Sequence, residues 1–365
     1  MILGIDASTY LEELEHGARF FDGEREIDPL AALADNGVDC MRIRVWNDPR
    51  GEDGTPYLAG NCDIDNYVRL GKLAKSRGYS LLLDFHYSDF WADPAKQLLP
   101  KAWREFSFDE VCDAVYSFTR ECLVTAVENG VAPAYIQVGN EITHGILWPH
   151  GRLEEDGRRG NYEGFCRLIK AGVRACREIC PDAKLILHLE RSNDAAVYQE
   201  FYTKMDEFGV DYDIIGASFY TYWHGTPDEL FANLRACRRF GKPIMIMELG
   251  YGFTDEPYYI DGKAYPIIID AKRAYIKGLS EKYPFTHDGQ ARFIRDLLAR
   301  ARADGIAGAF YWEPLWIPRK GICWASESAL EYIGEAGKPT ANEWANQCLF
   351  DYEGRKLPAF DEYRK

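Results

Sequence analysis

The sequence predicts a (β/α)8 barrel with long βα loops, in one domain over residues 1–365. Eight short apolar runs rich in β-branched and large side chains recur along the chain. Between them lie segments with apolar residues three or four positions apart, the spacing of an amphipathic helix. Eight strand-then-helix units are typical of this barrel. Because the fold needs about 250 residues, the excess is expected in loops.

Each predicted strand is an apolar run of strand length, and several are preceded by turn signals. Asn36-Gly37, Arg77-Gly78 and Gly241-Lys242-Pro243 open the second, third and seventh strands. Helical spacing appears in Tyr67 to Leu73, before the third strand, and in Phe293 to Leu298, before the eighth. The predicted strands are Ile2–Asp6, Val38–Trp46, Ser80–His86, Ala134–Asn140, Lys184–Leu189, Ile214–Tyr220, Pro243–Leu249 and Ile306–Trp312.

The carboxyl ends of these strands carry polar and aromatic residues. Barrel active sites lie on the face where the strands end, so these residues predict the site. Two long segments, from Ile142 to Tyr162 and from Gly250 to Thr286, are expected to roof it. The strand-end residues are Arg42, Arg44, Trp46, Asp84, His86, Asn140, Glu141, His188, Glu190, Ser218, Tyr220, Glu248, Trp312 and Glu313.

Composition narrows the function classes. The chain has 58 acidic and 43 basic side chains and a net charge of −15, which argues against nucleic acid or an anionic membrane as partner. No run approaches the roughly 20 apolar residues of a spanning helix. The amino terminus shows no export signal, so a cytoplasmic location is expected. The ten cysteines form no C-x-x-C pair and are expected to be reduced.

Two carboxylates lie at the ends of strands on facing sides of the ring. Glu141 directly follows strand four, and Glu248 lies at the end of strand seven. A retaining glycosidase needs one carboxylic acid to protonate the leaving oxygen and one carboxylate to attack, about 5–5.5 Å apart. Arg42 and Arg44 share one face of strand two. We expect an arginine there to lower the pKa of Glu248, and Glu248 to raise that of Glu141. An arginine at a strand end can equally be a structural ion pair.

Aromatic residues crowd the same strand ends, and sugar rings stack on such side chains. Competing chemistries lack their residues. His86, His144, His188 and His224 show no metal-ligand spacing, and Lys184 and Lys242 begin strands where a Schiff-base lysine would have to end one. Neither a metal nor another cofactor is therefore expected.

Four motifs give the chain a close resemblance to glycoside hydrolase family 53, the endo-β-1,4-galactanases of clan A. They run Arg42 to Trp46, Asp84 to Pro94 with Gln97, Gln137 to Ile142 followed by Leu147 to Pro149, and Phe310 to Pro314. The eleven residues from Asp84 are the most specific. The resemblance extends from Gly4 to Asp351.

The resemblance implies that Glu141 is the acid/base and Glu248 the nucleophile of a retaining enzyme. It further implies that Asn140 contacts the sugar 2-hydroxyl, that Trp312 floors the cleavage subsite, and that neighbouring residues line the cleft. Glu248 is followed here by Leu249-Gly250-Tyr251 where the family usually has a polar residue, and residues 250–286 show no clear copy of the calcium ligands of some relatives. The full expected substrate-binding set is Arg44, Asp84, His86, Trp91, Asn140, His188, Tyr220, Trp223 and Trp312.

The expected substrate is β-1,4-galactan, arabinogalactan or short galacto-oligosaccharides. Two alternatives remain open at this point. One is a clan A enzyme for another β-linked glycan, such as a mannoside or a glucoside, because the acid, the nucleophile and Trp312 do not define the sugar. The other is a non-catalytic carbohydrate-binding barrel.

Overall fold

The computed structural model describes residues 1–155, 158–268 and 278–365. Eight parallel strands close into a barrel in which each strand pairs with the next and the last pairs with the first. The predicted fold is therefore confirmed, and each strand falls within its predicted run. The barrel strands are β1 (Ile2–Asp6), β2 (Cys40–Val45), β3 (Ser80–Phe85), β4 (Tyr135–Val138), β5 (Lys184–Leu189), β6 (Ile214–Phe219), β7 (Ile244–Leu249) and β8 (Gly308–Trp312).

At least one helix follows each strand on the outside of the barrel, and eight of these helices are numbered in chain order. Several begin with a side-chain cap: Ser107 and Glu110 form a capping box before the third helix, and Thr226 and Glu229 form one before the sixth. These helices are α1 (Pro29–Asp35), α2 (Ile64–Lys75), α3 (Phe108–Glu128), α4 (Tyr162–Ile179), α5 (Ala195–Glu207), α6 (Pro227–Cys237), α7 (His287–Ala303) and α8 (Pro358–Glu362).

Alternation along the strands separates two environments. Outward residues such as Leu83 and Ile136 pack in the main apolar cluster with the helices. Inward residues change character with height. A small apolar cluster fills the lower barrel, and polar side chains occupy the upper layers, where the site is built. The lower cluster consists of Cys40, Leu82, Ile186, Ile214, Met245, Met247 and Phe310.

Two glycines allow the lower barrel to fill. A Cβ on Gly4 would lie 2.2 Å from the Phe310 ring, and one on Gly216 would lie 2.7 Å from Cγ of Met247. Neither distance is possible between nonbonded carbons. Glycine at these positions therefore lets large side chains from β7 and β8 cross the barrel axis.

Strand β7 contains one residue more than its neighbours at the same height. Ala217 and Ser218 of β6 pair with Ile246 and Glu248, so Met247 is passed over. The pairing with β8 shifts in the same way between Ile246 and Leu249. Such an insertion changes the direction of the following side chain. Met247 and Glu248, although consecutive, therefore both face inward.

The longest connection joins β8 to α8, residues 313–357. It contains the helix Glu327–Tyr332. Small two-stranded hairpins lie in other loops, among them Tyr258–Ile260 with Lys263–Tyr265. Among the helices of the described ranges, none is long and apolar enough to cross a membrane.

Candidate active site

A cleft of about 610 Å³ opens at the carboxyl end of the barrel strands. Its volume lies within the about 300–1,000 Å³ typical of small-molecule sites. Both predicted catalytic carboxylates line it, together with most of the predicted binding residues. Residues lining the cleft include Arg42, Arg44, His86, Trp91, Asp93, Asn140, Glu141, His144, Glu190, Arg191, Tyr220, Trp223, His224, Glu248, Trp312, Trp324, Glu343 and Trp344.

Glu141 owes its direction to an unusual backbone. It lies between β4 and a short 3-10 turn, with φ 49° and ψ 54°, the left-handed region that non-glycine residues seldom adopt. Nε2 of Gln97 donates to the carbonyl oxygen of Asn140, 2.8 Å away, and supports this turn. Oε1 of the half-buried carboxyl group lies 2.6 Å from Oγ of Ser218. Strain held in this way is common at functional residues.

Glu248 is held by a cation and a phenol. Nη1 of Arg42 lies 2.9 Å from its Oε1, and the Tyr220 hydroxyl donates to its Oε2 at 2.9 Å. Glu248 is 7% exposed and lines the cleft. Its inward direction follows from the extra residue of β7 described above. The arrangement suits an ionised carboxylate fixed in one orientation.

The two carboxyl groups are close. One oxygen of Glu141, one of Glu248 and one ring nitrogen of His188 all lie within 4.8 Å of one another. Among the described residues this is the only trio of potential ligands so arranged. A cation here would have to compete with Arg42 for Glu248 and with Ser218, 2.8 Å from Nε2, for His188. These contacts favour a catalytic pair of glutamates over a metal-binding site.

The pKa values of the pair are raised unequally. Burial, then the charge of Glu248, then that of Glu190 raise the pKa of Glu141 well above its usual range. Burial also raises the pKa of Glu248, but Arg42 and Tyr220 act against it. The expected lowering of the Glu248 pKa by the guanidinium is confirmed as an effect, but burial outweighs it and the net pKa is raised. The expected effect of Glu248 on Glu141 is confirmed.

Arg42 joins the layer beneath the cleft. Its guanidinium pairs with Asp6 at 2.9 Å and Asp84 at 2.8 Å, and donates to Oδ1 of Asn140 at 2.8 Å and to Oε1 of Gln137 at 3.2 Å. It is 1% exposed. Arg42, which the expected binding set omitted, is therefore the arginine that reaches Glu248.

Arg44 also lines the cleft, but its guanidinium is held by ion pairs. Its Nη1 pairs with Glu313 at 2.6 Å and Asp6 at 3.3 Å, and its guanidinium lies 4.2 Å from the Trp91 ring. It is 1% exposed. These contacts tie β1, β2 and β8 together, which is the structural ion pair that the sequence left open.

Asp84 and His188 also lie lower than expected. Both are fully buried, and neither is among the residues that line the cleft. Asp84 accepts from Arg42 and from Gln137, and it lies 3.0 Å from Nε2 of His86. His188 lies between Asn140 and Ser218. They can orient the residues that line the cleft, but the cleft surface does not include them.

The remaining predicted residues meet at the cleft. The His86 ring is fixed by Asp84 and by the amide of Ala92, which donates to Nδ1 at 3.1 Å. Nδ2 of Asn140 donates to the Ala92 carbonyl oxygen at 2.9 Å. The rings of Trp91 and Tyr220 lie 6.1 and 6.5 Å from that of Trp312. Trp223 is 49% exposed, which is open enough for a sugar face to stack on it.

Several residues that line the cleft were not among the predicted binding residues. Trp324 and Trp344 come from the long loop after β8, and no periodic pattern marks such positions. Trp344 packs against Trp312 at 4.9 Å and against Trp223 at 5.4 Å. Glu190 had a signal, because it directly follows β5. It is 3% exposed, and burial raises its pKa to about 7.

The loops that shape the cleft differ from those expected. The loop after β3 supplies residues 91–96, and the loop after β8 supplies Trp324, Glu343 and Trp344. Within the described part of the chain, the segment from Ile142 to Tyr162 supplies His144, and that from Gly250 to Thr286 supplies no lining residue. Part of each segment, 156–157 and 269–277, lies outside the described residues.

Comparisons with known proteins point to one family. The family model described as glycosyl hydrolase family 53 matches residues 2–363. An endo-beta-1,4-galactanase of Bacillus subtilis (strain 168) is 34% identical over 385 residues, covering 100% of this chain and 85% of that protein. The glycoside hydrolase family 53 catalytic domain of Ignisphaera aggregans has a TM-score of 0.89 at 38% identity, covering 100% and 95% of the two chains. A fungal beta-1,4-galactanase structure has a TM-score of 0.79 at 26% identity, covering 100% of this chain and 98% of that chain.

Proposed function

The chain belongs to glycosyl hydrolase family 53, and on that basis we propose that it is a retaining hydrolase of β-1,4-galactosidic bonds in galactan or arabinogalactan. Residues 1–365 act as one catalytic domain, with Glu141 as acid/base and Glu248 as nucleophile. The observation that carries the proposal is the short gap between these carboxyl groups, whose nearest oxygens lie within 4.8 Å. Retaining enzymes need about 5–5.5 Å, whereas inverting enzymes need about 6.5–9.5 Å to admit water.

The first half of the reaction forms a glycosyl ester. Glu141 gives its proton to the glycosidic oxygen while an oxygen of Glu248 attacks the anomeric carbon, and the leaving sugar departs as an alcohol. Arg42 forms an ion pair with Glu248 and the Tyr220 hydroxyl donates a hydrogen bond to it, so both favour its ionised form and hold it in one orientation. The raised pKa of Glu141 suits it to hold the proton near neutral pH.

The second half releases the sugar. Glu141, now a carboxylate, takes a proton from water as the resulting hydroxide attacks the anomeric carbon, and the bond to Glu248 breaks. Two inversions at the same carbon leave its configuration unchanged. Trp312, with the rings of Trp91 and Tyr220 beside it, offers an apolar floor for the sugar that reacts. His86 and Asn140 provide polar groups in the lining of the same cleft.

Product analysis on linear β-1,4-galactan tests the activity, with galactotriose and galactotetraose in parallel and β-mannan and β-glucan as controls. Midchain cleavage would establish an endo-enzyme, and activity only on short oligomers would restrict the substrate to these. Turnover of mannan or glucan alone would favour the alternative clan A substrate. No turnover of any glycan would favour a binding protein.

Two variants test the roles of the pair. Glu248→Ala should abolish turnover of every substrate. Glu141→Ala should still cleave aryl galactosides whose leaving group needs no protonation, because only the acid is lost. NMR of the first product should show the β-anomer. An α-anomer, or normal galactan turnover by either variant, would refute the assignment.

A further inference from the structure

A buried line of hydrogen bonds runs from the cleft into the barrel. It begins at Oε1 of Glu141, passes Oγ of Ser218 at 2.6 Å and continues to Nε2 of His188 at 2.8 Å. Nδ1 of His188 then lies 3.1 Å from Oδ1 of Asn140. Ser218 and His188 are fully buried. The proposed reaction leaves both residues without a role.

The direction of each hydrogen bond can be worked out from the buried end. Nδ2 of Asn140 donates to the Ala92 carbonyl, so its Oδ1 must be the atom that faces Arg42, Gln137 and His188. An amide oxygen only accepts. Nδ1 of His188 therefore carries a hydrogen and donates it to Asn140.

The same reasoning makes Nε2 of His188 an acceptor. Burial, with Arg42, His86 and His224 nearby, lowers the pKa of His188 well below its ordinary value, so the ring is neutral. A neutral imidazole with a hydrogen on Nδ1 has a lone pair on Nε2. The only donor at 2.8 Å in the described structure is the Ser218 hydroxyl. Left without that hydrogen, the buried lone pair would be unsatisfied.

A serine hydroxyl has one hydrogen, and this fixes the state of Glu141. Ser218 can donate to Glu141 across the 2.6 Å contact when Glu141 is a carboxylate. While Ser218 donates to His188, its oxygen can only accept there, so Glu141 must supply the hydrogen. We propose that Ser218 is a hydroxyl switch set by His188, which holds Glu141 as the acid in the free enzyme. The inference rests on the role of Glu141 given under the proposed function.

The Ser218 hydroxyl changes its acceptor in each half of the reaction and keeps its hydrogen throughout. When Glu141 has protonated the glycosidic oxygen, the Ser218 hydroxyl rotates from His188 to donate to the new carboxylate. When water returns a proton to Glu141, the hydroxyl turns back to His188. The carboxylate form thus leaves the His188 lone pair unpaired, and this cost favours the acid form. Ser218 and His188 are therefore positioning residues.

Other groups also act on the protonation of Glu141, and the test leaves them unchanged. They face it from β7, from the ends of β5 and β6, from α5 and from the loop after β3. These groups are Glu248 with its partner Arg42, Glu190, Tyr198, Tyr220 and Asp93.

The test measures the pH dependence of kcat/KM on β-1,4-galactan, whose basic limb reports the pKa of the acid in the free enzyme. His188→Asn keeps an amide hydrogen near the Nδ1 position for Asn140 but removes the acceptor for Ser218. The freed hydroxyl then donates to the carboxylate at no cost. We expect the basic limb to move to lower pH by about half to one unit, the worth of one hydrogen bond.

Two controls make the result specific. His188→Gln places an amide oxygen near the Nε2 position and should leave the basic limb in place. In Ser218→Ala, a further His188→Asn change should no longer move it, because the hydroxyl that couples them is gone. An unchanged limb in His188→Asn, or an equal shift with and without Ser218, would overturn the proposal.

Infrared spectroscopy gives a reading that needs no turnover. The difference spectrum of wild type minus Glu141→Gln near neutral pH should contain a protonated carboxyl band, which Ser218→Ala should displace. A carboxylate band instead would overturn the switch. Absence of galactan hydrolysis with the protonated band present would refute the proposed activity alone, so the two failures can be told apart. This measurement also replaces the kinetic one if His188→Asn does not fold.

Discussion

Arg42 offers the sharpest separation between stability and catalysis. Arg42→Lys keeps a positive charge, but an ammonium group is a compact donor and cannot reproduce the planar fork that spans five partners. The guanidinium contacts Asp6, Asp84 and Glu248 as ion pairs and two amide oxygens, from β1, β3, β4 and β7. Asp6, Asp84 and Gln137 are fully buried, so water cannot replace a donor that they lose.

The size of the effect on stability can be worked from these contacts. Lysine can satisfy about three of the five acceptors, so two hydrogen bonds to or from charged groups are lost, at about 1.5 kcal/mol or more each. The expected loss is about 3 kcal/mol. With an unfolding entropy of about 2.1 cal/mol/K per residue, the 365-residue chain should lose about 4 °C in Tm.

Arg42→Lys should also change the pH dependence of kcat/KM, and only on its acid side. Glu248 attacks as a carboxylate, and the Arg42 guanidinium works against the burial that raises its pKa. A weaker donor lets that pKa rise further, so the acid limb of kcat/KM should move to higher pH. The loss of one charge-assisted hydrogen bond corresponds to about one pH unit.

Arg44→Lys is the matched control, and pH profiles with thermal denaturation are the assays. Arg44 is equally buried and pairs with Asp6 and Glu313, so Arg44→Lys should also lower the Tm. No contact joins Arg44 to Glu248 among the described ion pairs, so the acid limb should stay in place. Equal shifts of the acid limb in the two variants would refute the reasoning, as would no shift in Arg42→Lys.

Two further carboxylates give predictions of opposite kind. Glu190→Gln removes a negative charge that raises the pKa of Glu141, so the basic limb of kcat/KM should move about half a unit to lower pH, equal to about 0.7 kcal/mol of repulsion; a shift to higher pH would contradict this. Burial raises the pKa of Glu12 to about 7, so the stability it contributes is complete below about pH 4.5 and declines as pH rises to about 7. Glu12→Gln cannot ionise and still accepts from the Gly60 amide; its Tm should exceed that of wild type at pH 8, by up to about 4 °C, and not at pH 4. A Tm advantage of equal size at both pH values would show that ionisation is not the cause.

The barrel was predictable because its signals are local. Eight apolar runs and the turns before them depend on neighbours in sequence, and the strands lie within the predicted ranges. The sequence pattern placed Asp84 and His188 at the carboxyl ends of their strands. It could not give their depth, because height in a barrel depends on strand tilt and on which side chains already fill the layer above.

Roles that depend on contacts between distant strands were less accessible. Arg42 and Arg44 share a face, but they are one alternation apart, so only Arg42 reaches Glu248. Ser218 is an ordinary strand-end serine until the structure sets it between Glu141 and His188. Trp344 lies in a long loop, and a loop has no periodic sequence pattern from which its path could be predicted.

The extra residue in β7 has a consequence for insertions and deletions. It makes the spacing of the two carboxylates depend on the length of one strand as well as on the amino acids present. Removal of Met247 would leave Glu248 paired with Ser218 and still facing inward, whereas a regular ladder that kept Met247 would turn Glu248 to the outer face, although every residue of the cleft would still be encoded. Transplanting these side chains onto a barrel with ideal strands would therefore give an inert copy, unless the irregular backbone were transplanted with them.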